Sequence, residues 1–313
     1  MRLDAWTPIR VHGTVREPLV DWAVLDAPSG EPFFEQSADR AMRHPFNQLF
    51  SCTTPLEALD VEVDELPVAE PAGFVFHMSR CGSTLIAQML SRLTSTVVLS
   101  EPQPLDGILR LRRLAALDEE SALRRFRTML RTLSRPHRGE QRSFVKFHAW
   151  HVLDLPFIAR SFPDTPWIFA FREPRAVLRS QENHVGAEMI PGTLDPRFAG
   201  IEPAAVTTMS PLEYCARLLS AFCDAALARA ASTLFVDYDR LPDAVLTGVL
   251  PFFGVASTEE EIRGMREIAQ RDTKGRGGEY RAAREPDIPP EIERLATRWL
   301  DPAYAAMRDS GQR

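Results

Sequence analysis

Gly73–Leu85 reads Gly-Phe-Val-Phe-His-Met-Ser-Arg-Cys-Gly-Ser-Thr-Leu: an apolar run, a polar turn from Ser79 to Thr84, then an amphipathic stretch from Leu85 to Leu93. A buried strand that breaks at a Gly/Ser/Thr turn and opens a helix aims backbone N–H groups and hydroxyls at one place. The helix N-terminus adds partial positive charge there, and such a place binds phosphate or sulfate. Arg80 sets a permanent cation inside the same turn. The segment predicts an anion cradle where a strand meets a helix.

Outward from it, apolar runs of strand length alternate with segments of helical period. Strands are expected at Phe74–Met78, Thr96–Ser100, Ser143–Phe147, Trp167–Phe171 and Thr233–Val236. Helices are expected at Ser83–Leu93, Gln103–Leu117, Glu119–Leu133, Asp154–Ser161, Arg175–Asn183, Leu212–Ala230, Asp243–Phe253, Thr258–Gln270 and Pro290–Met307. Strands separated by helices predict an α/β fold of three layers, α/β/α, around a central parallel sheet of about five strands. Ligands of such sheets bind beyond the carboxyl ends of the strands, which is where every polar cluster of this chain falls. Residues 1–72 are Pro-rich, turn acidic toward their end and have weak periodicity. They are expected to form an irregular N-terminal appendage packed on a main domain of residues 73–313.

The chain has 313 residues, 44% hydrophobic and 26% charged, which is ordinary for a globular protein able to bury a large core. A net charge of −6 argues against a nucleic-acid partner. The N-terminus has no apolar run that reads as a secretory signal, and no segment has the length of a membrane span. Cys52, Cys81, Cys215 and Cys223 are scattered without a Cys-x-x-Cys pair, as expected of reduced thiols in a cytoplasmic protein. Of 37 basic residues only Lys146 and Lys274 are lysines, so these two positions stand out as places for a compact, strongly hydrated ammonium. The arginines between Arg110 and Arg142 read as solvated faces of two amphipathic helices. No carboxylate pair has metal-site spacing, so no metal is expected.

The turn lacks the Gly-x-x-x-x-Gly-Lys-Ser/Thr spacing of nucleoside triphosphatases. Ser79-Arg80-Cys81-Gly82-Ser83-Thr84-Leu85 instead resembles the 5′-phosphosulfate loop of sulfotransferases that use 3′-phosphoadenosine-5′-phosphosulfate (PAPS), with Arg80 at a position where that family has Arg or Lys. Phe169–Ser180 is similar to the family's 3′-phosphate motif: an apolar strand, then Arg172-Glu173-Pro174-Arg175, with Ser180 eight residues after Arg172. Pro174 is placed to begin a helix where no N–H is required, and Ser180 follows about two turns along it. Thr273–Arg281, with Lys274, Gly275 and Arg276, resembles the family's glycine-rich loop that closes on the 3′-phosphate. Phe235–Leu241 followed by Phe252-Phe253-Gly254 is similar to a further family segment, which suggests that Tyr238 helps to hold the nucleotide. Leu85 stands where the family often has an aromatic for adenine.

Val145-Lys146-Phe147-His148 resembles the Lys-Thr-His of cytosolic members, in which the Lys contacts the transferring sulfuryl group and the His takes the acceptor's proton. Glu101, leaving the second strand, is a rival base, because branches of the family with Arg in the loop use a Glu; the residues leave this choice open. Trp150 and His151 read as packing. The resemblance, to a bacterial member with Arg in its loop, implies a P-loop-like sulfotransferase architecture and transfer of a sulfuryl group from PAPS to a hydroxyl or amine of a small acceptor. Arg80 and Lys146 would clamp the transferring group; Ser79, Cys81, Gly82, Ser83 and Thr84 would surround the 5′-phosphate; Arg172, Ser180 and Lys274 would hold the 3′-phosphate. Adenosine 3′,5′-bisphosphate would be the product. The alternatives are a small-molecule kinase using ATP and magnesium, and a non-catalytic nucleotide sensor.

Overall fold

Four of the five main strands are short runs rich in Val, Phe, Ile and Trp, buried on both faces, the pattern of a parallel sheet covered by helices. The structure, a computed structural model, describes residues 5–25, 31–60, 67–270 and 288–311. Three strands precede the main sheet: β1 (Thr7–Gly13), β2 (Pro18–Ala23) and β3 (Cys52–Pro55), paired antiparallel in the order β1-β2-β3. Helices α1 (Phe34–Arg43) and α2 (Pro45–Leu49) lie between β2 and β3. The N-terminal segment is therefore regular, contrary to the irregular appendage expected. β1 carries Pro8 near its start and β2 begins at Pro18, which hides their alternation in the sequence.

The main sheet contains β4 (Glu70–His77), β5 (Thr96–Ser100), β6 (Arg142–Lys146), β7 (Trp167–Phe171) and β8 (Thr233–Asp237), all parallel in the order β5-β6-β4-β7-β8. Helix α3 (Ser83–Leu90) carries the chain from β4 to the far edge at β5. Helices α4 (Gln103–Arg113), α5 (Glu119–Leu133) and α6 (Leu155–Ser161) then bring it back across β4 to β7. Right-handed crossovers place α3 on one face and α4 to α6 on the other. The chain reverses direction at β4, so the turn after β4 lies at the topological switch point. β4 pairs on both sides, Val75 lying opposite Lys146 and Ile168, so that turn emerges between the ends of β6 and β7.

Helix α7 (Pro174–Asn183) begins at Pro174 as the sequence predicts, and its N-cap is Glu173, whose carboxylate accepts from the Arg175 and Ala176 amides at 3.0 and 2.7 Å. The short α8 (Pro203–Val206) and long α9 (Pro211–Leu227) lead to β8. After β8, the helix expected over 243–253 is present over 243–252, with a π-helical turn at Val245–Val249 before its last stretch α10 (Leu250–Phe252). Helix α11 (Glu259–Ala269) packs on α3. The single helix expected over 290–307 is two, α12 (Pro290–Trp299) and α13 (Asp301–Ser310). Pro302 explains the break: it lacks an N–H and would clash with a carbonyl four residues back. Among the described residues, no helix is long and apolar enough to cross a membrane.

The core is aromatic where β4 and β6 meet: Phe76 stacks on Phe147 with centroids 4.9 Å apart, and Phe74 meets Phe147 edge-on at 5.2 Å. Each such ring, fully buried, stabilises the fold by about 1.5–3 kcal/mol. The N-terminal sheet is joined to this core by close backbone approach. Val11 N donates to Gln103 Oε1 at 3.0 Å, and Gln103 Nε2 donates to Val11 O at 3.3 Å. One turn along α4, a Cβ added to Gly107 would lie 2.4 Å from Val11 Cβ. Gly107→Ala is therefore expected to destabilise the protein. Overpacking costs about 1–3 kcal/mol, and better helix propensity returns only about 1 kcal/mol of it. Urea denaturation checks this; an unchanged or higher midpoint would contradict the contact.

Candidate functional site

The turn after β4 holds two successive non-glycine residues in the left-handed region, Ser79 at φ 74° and Arg80 at φ 54°, followed by Gly82 at φ 81°. Such residues cost about 1–3 kcal/mol each and persist only where their surroundings hold them. Here the holding contacts are explicit. Ser79 N donates to His77 Nδ1 at 3.0 Å, and Cys81 Sγ donates to Ala170 O at 3.1 Å. Ser79 Oγ donates to Glu188 Oε1 at 2.9 Å and accepts from Gln181 Nε2 at 3.1 Å. A Cβ at Gly82 would lie 2.7 Å from Leu241 Cδ1 and 2.9 Å from Tyr238 Cδ2, so only glycine fits there. Ser83 and Thr84 are buried in the first turn of α3, whose opening amides have no intrahelical carbonyl to meet. Burial pushes the Cys81 thiol up to about 11, so it is not a thiolate at neutral pH.

Beside the turn, the ends of β5 and β6 bring three charged or polar groups together. Lys146, 1% exposed, donates through Nζ to Glu101 Oε1 and lies 4.9 Å from the centre of the Phe33 ring. Glu101 sits at φ 56°, and its N donates to Lys146 O at 2.7 Å, continuing the β5–β6 ladder one residue past its end. The second carboxylate oxygen of Glu101 is 3.5 Å from His148 Nδ1. Burial alone would raise the Glu101 carboxyl; the Lys146 ammonium, with His77 and His148 behind it, overrides this and holds it well below its ordinary value. Burial, then the neighbouring His151, lowers His148 to about 4, so this imidazole is neutral at pH 7. His77 is also kept neutral by burial; its Nε2 lies 3.0 Å from Phe147 O and 3.6 Å from Glu101.

On the other side of β4, Arg80 Nε donates to Ser180 Oγ at 2.8 Å. Arg172 donates through Nη1 to Arg80 O at 3.4 Å and lays its guanidinium over the Tyr238 ring, 4.1 Å from the centroid. Arg80, Gly82, Arg172, Ser180 and Tyr238, drawn from four separate segments, thus form one cluster, while Glu101, Lys146 and His148 form a second. His77 joins the two by touching both Ser79 and Glu101. Lys274, Gly275 and Arg276 lie outside the described residues. Arg175 turns away from the site: it binds Glu293, Asp301 and Glu173 and fastens α12 and α13 to α7.

Several neighbours escape the sequence reading. His77 ends an apolar strand and could have been singled out as its one polar residue. Phe33, Gln181 and Glu188 carry no local signal; only the tertiary fold brings them in. Beyond Gln181, a cleft of about 410 Å³ opens between α7, the segment 185–191 and α9, with Val185, Met189, Ile190, Leu212 and Cys215 in its wall. Among the described residues, no group of three or more His, Cys, Asp or Glu is placed to hold a metal ion.

No family model and no curated protein matches the chain. Its structure is similar to solved sulfotransferases. One, from Alicyclobacillus acidocaldarius, is 17% identical over 79% of this chain and 97% of its own, with a TM-score of 0.45. Sulfotransferase STF9 from Mycobacterium avium is 14% identical over 84% of this chain and 82% of its own, with a TM-score of 0.48. The sulfotransferase domain of the Synechococcus PCC 7002 olefin synthase is 16% identical over 76% and 97%, with a TM-score of 0.40. Likenesses of this size say nothing about the site, whose chemistry rests on its own residues.

Removing the Glu101 charge leaves a buried ammonium without its partner, a change that costs about 3–5 kcal/mol. Glu101→Gln is expected to lose that much stability at pH 7. Because the folded-state carboxyl lies below its ordinary value of 4.5, the stabilisation is complete above that value and lost as pH falls through the folded pKa. Urea titrations of wild type and variant at several pH values should therefore converge on acidification. A constant gap would show that the charge is not the source.

Proposed function

We propose that this protein is a sulfotransferase that moves a sulfuryl group from PAPS to a hydroxyl or amine of a small acceptor. The observation that carries the proposal is the pair of clusters flanking β4 at the switch point. Arg80, Arg172, Ser180 and Tyr238 supply two guanidiniums and a hydroxyl on one side; Lys146, Glu101 and His148 supply an ammonium and a base on the other. A donor set of this kind suits a polyanion with two separate phosphate groups. A nucleoside triphosphate would leave the Arg172 and Ser180 side without a ligand group.

Gly82, Ser83 and Thr84 would hold the 5′-phosphate at the start of α3, with Ser79 and Cys81 shaping the turn from inside. Arg172 and Ser180 would hold the 3′-phosphate, together with Lys274, Gly275 and Arg276, and Tyr238 would keep the Arg172 guanidinium in plane. Arg80 and Lys146 would neutralise charge on the transferring group and the leaving phosphate, the electrostatic role that dominates transfers of this kind. PAPS supplies the sulfuryl group: the acceptor's oxygen or nitrogen forms its bond to sulfur as the sulfur–oxygen bond to phosphate breaks, and the acceptor's proton leaves to a base.

We assign that base to His148. Glu101 is already engaged by Lys146 and held low, which makes it a weak proton acceptor but a good orienting group for both neighbours. His148 is neutral at pH 7, and an anion bound beside it raises its affinity for a proton. The apolar wall beyond Gln181 supports a small acceptor with an apolar body.

Arg80→Ala is expected to lower turnover about 10²–10³-fold, the scale of losing a preorganised donor. Arg172→Ala is expected to weaken adenosine 3′,5′-bisphosphate by about 10–100-fold, the worth of a charge-assisted hydrogen bond, and to leave adenosine 5′-monophosphate unaffected. Calorimetry on the full chain with the bisphosphate and with ATP plus magnesium separates the readings. Binding of ATP alone would identify a kinase, and bisphosphate binding with function intact in Glu101→Gln and His148→Gln would identify a sensor.

A further inference from the structure

Two short stretches face each other at the carboxyl edge of the sheet: residues 101–106, which run from the end of β5 into the first turn of α4, and residues 146–151, leaving β6. At one end Glu101 meets Lys146 and His148. At the other, Asp106 Oδ1 accepts from Trp150 Nε1 at 2.9 Å and pairs with His151 Nε2, also at 2.9 Å. Between these ends the Trp150 indole lies flat on the His148 imidazole, centroids 4.3 Å apart and planes 16° apart. The His151 ring meets the same imidazole edge-on at 5.1 Å. His148 thus has a carboxylate at its Nδ1 edge, an indole on one face and a second imidazole at its side.

We propose that Asp106 and Trp150 are positioning residues for His148: Asp106 fixes the indole, the indole fixes the plane of the imidazole, and within that plane the Glu101 carboxylate selects the orientation that turns Nδ1 to it and leaves Nε2 to the acceptor. The proposal rests on the assignment of His148 as base. A histidine ring is free to turn about its last side-chain bond, and that bond's rotation is broad and roughly two-fold. Nδ1 at 3.5 Å from a carboxylate is too long a contact to hold the ring alone. A flat stack resists that turn, and the stack is only as rigid as the indole. Asp106 supplies the rigidity with two ring partners on one oxygen. Burial works against the Asp106 carboxylate, yet His151 and Trp150 keep it ionised well below the ordinary carboxylate range. Packing alone would not require a charge there, since an apolar side chain of the same size would fill the space. The charged and titratable groups that face His148 are Glu101, Asp106, Lys146 and His151.

The test reads the imidazole directly, by nitrogen NMR of the full chain, with the His148 signal identified by its disappearance in His148→Gln. In wild type His148 is expected as the neutral Nδ1–H tautomer at pH 7. Asp106→Asn keeps an acceptor oxygen for the indole, so the tautomer and turnover with PAPS (within about threefold) are expected to survive. Its lost charge moves the His148 titration down, because Asp106 favours the imidazolium. Trp150→Leu and Asp106→Ala are expected to mix the tautomers; in Trp150→Leu, which keeps the Asp106 charge, water reaching the ring should also move the titration up toward 6.5. Their kcat should fall about 10–100-fold with KM for PAPS unchanged. Trp150→Phe keeps a ring but loses the tie to Asp106, so it should shift the signals in the same sense even if Trp150→Leu fails to fold. An unchanged tautomer in both Trp150→Phe and Asp106→Ala would overturn the proposal. Absence of PAPS-dependent turnover in wild type would overturn the transferase reading instead, and the nitrogen signals would still decide the positioning role.

Discussion

A buried ammonium requires a counter-charge, and Lys146 is among the most deeply buried of the described side chains. Its partner must come from a neighbouring strand end, because β6 is covered on both faces. Glu101 is that partner, and it reaches Lys146 only with its backbone in the left-handed region and its amide bonded to the Lys146 carbonyl. The strain at Glu101 and the charge at Lys146 are therefore one constraint. His148 and His77 take their places around the same carboxylate, and through His77 the geometry passes to the Ser79–Arg80 turn. The site is thus tied to the parallel register of β5, β6 and β4.

The second cluster is organised by a different principle. Arg80 and Arg172 lie close together, and like charges at that distance repel unless something offsets them. Ser180 accepts from the first guanidinium and the Tyr238 face attracts the second. Arg175, the second residue of α7, is held instead by Glu173, Glu293 and Asp301. The three arginines thus divide into two that belong to the cluster beside β4 and one that fastens helices.

The sheet was legible because its strands are continuous apolar runs; β5 and β7 keep the bounds read from sequence, and Pro174 marks the start of α7. The N-terminal sheet was not, since β1, β2 and β3 each carry a proline and lack a continuous apolar run. The break between α12 and α13 was visible in Pro302, but the apolar period runs on past it and masks the boundary. At the site, residues within strand-end motifs were legible one by one. Their grouping was not: nothing local says that Arg80 turns to Ser180 or that Arg175 leaves. Phe33 and Asp106 act only through contacts distant in sequence, and single-sequence periodicity carries no information about those.

Phe33 over Lys146 also orders events in time. The N-terminal segment leaves the ribosome first, yet the cation it covers emerges much later. Until β6 has joined the sheet, Lys146 keeps its water shell and the segment around Phe33 has no charged ring partner. Dehydration of the Lys146 ammonium therefore requires two segments far apart in sequence, the one around Phe33 and β6, to be docked together.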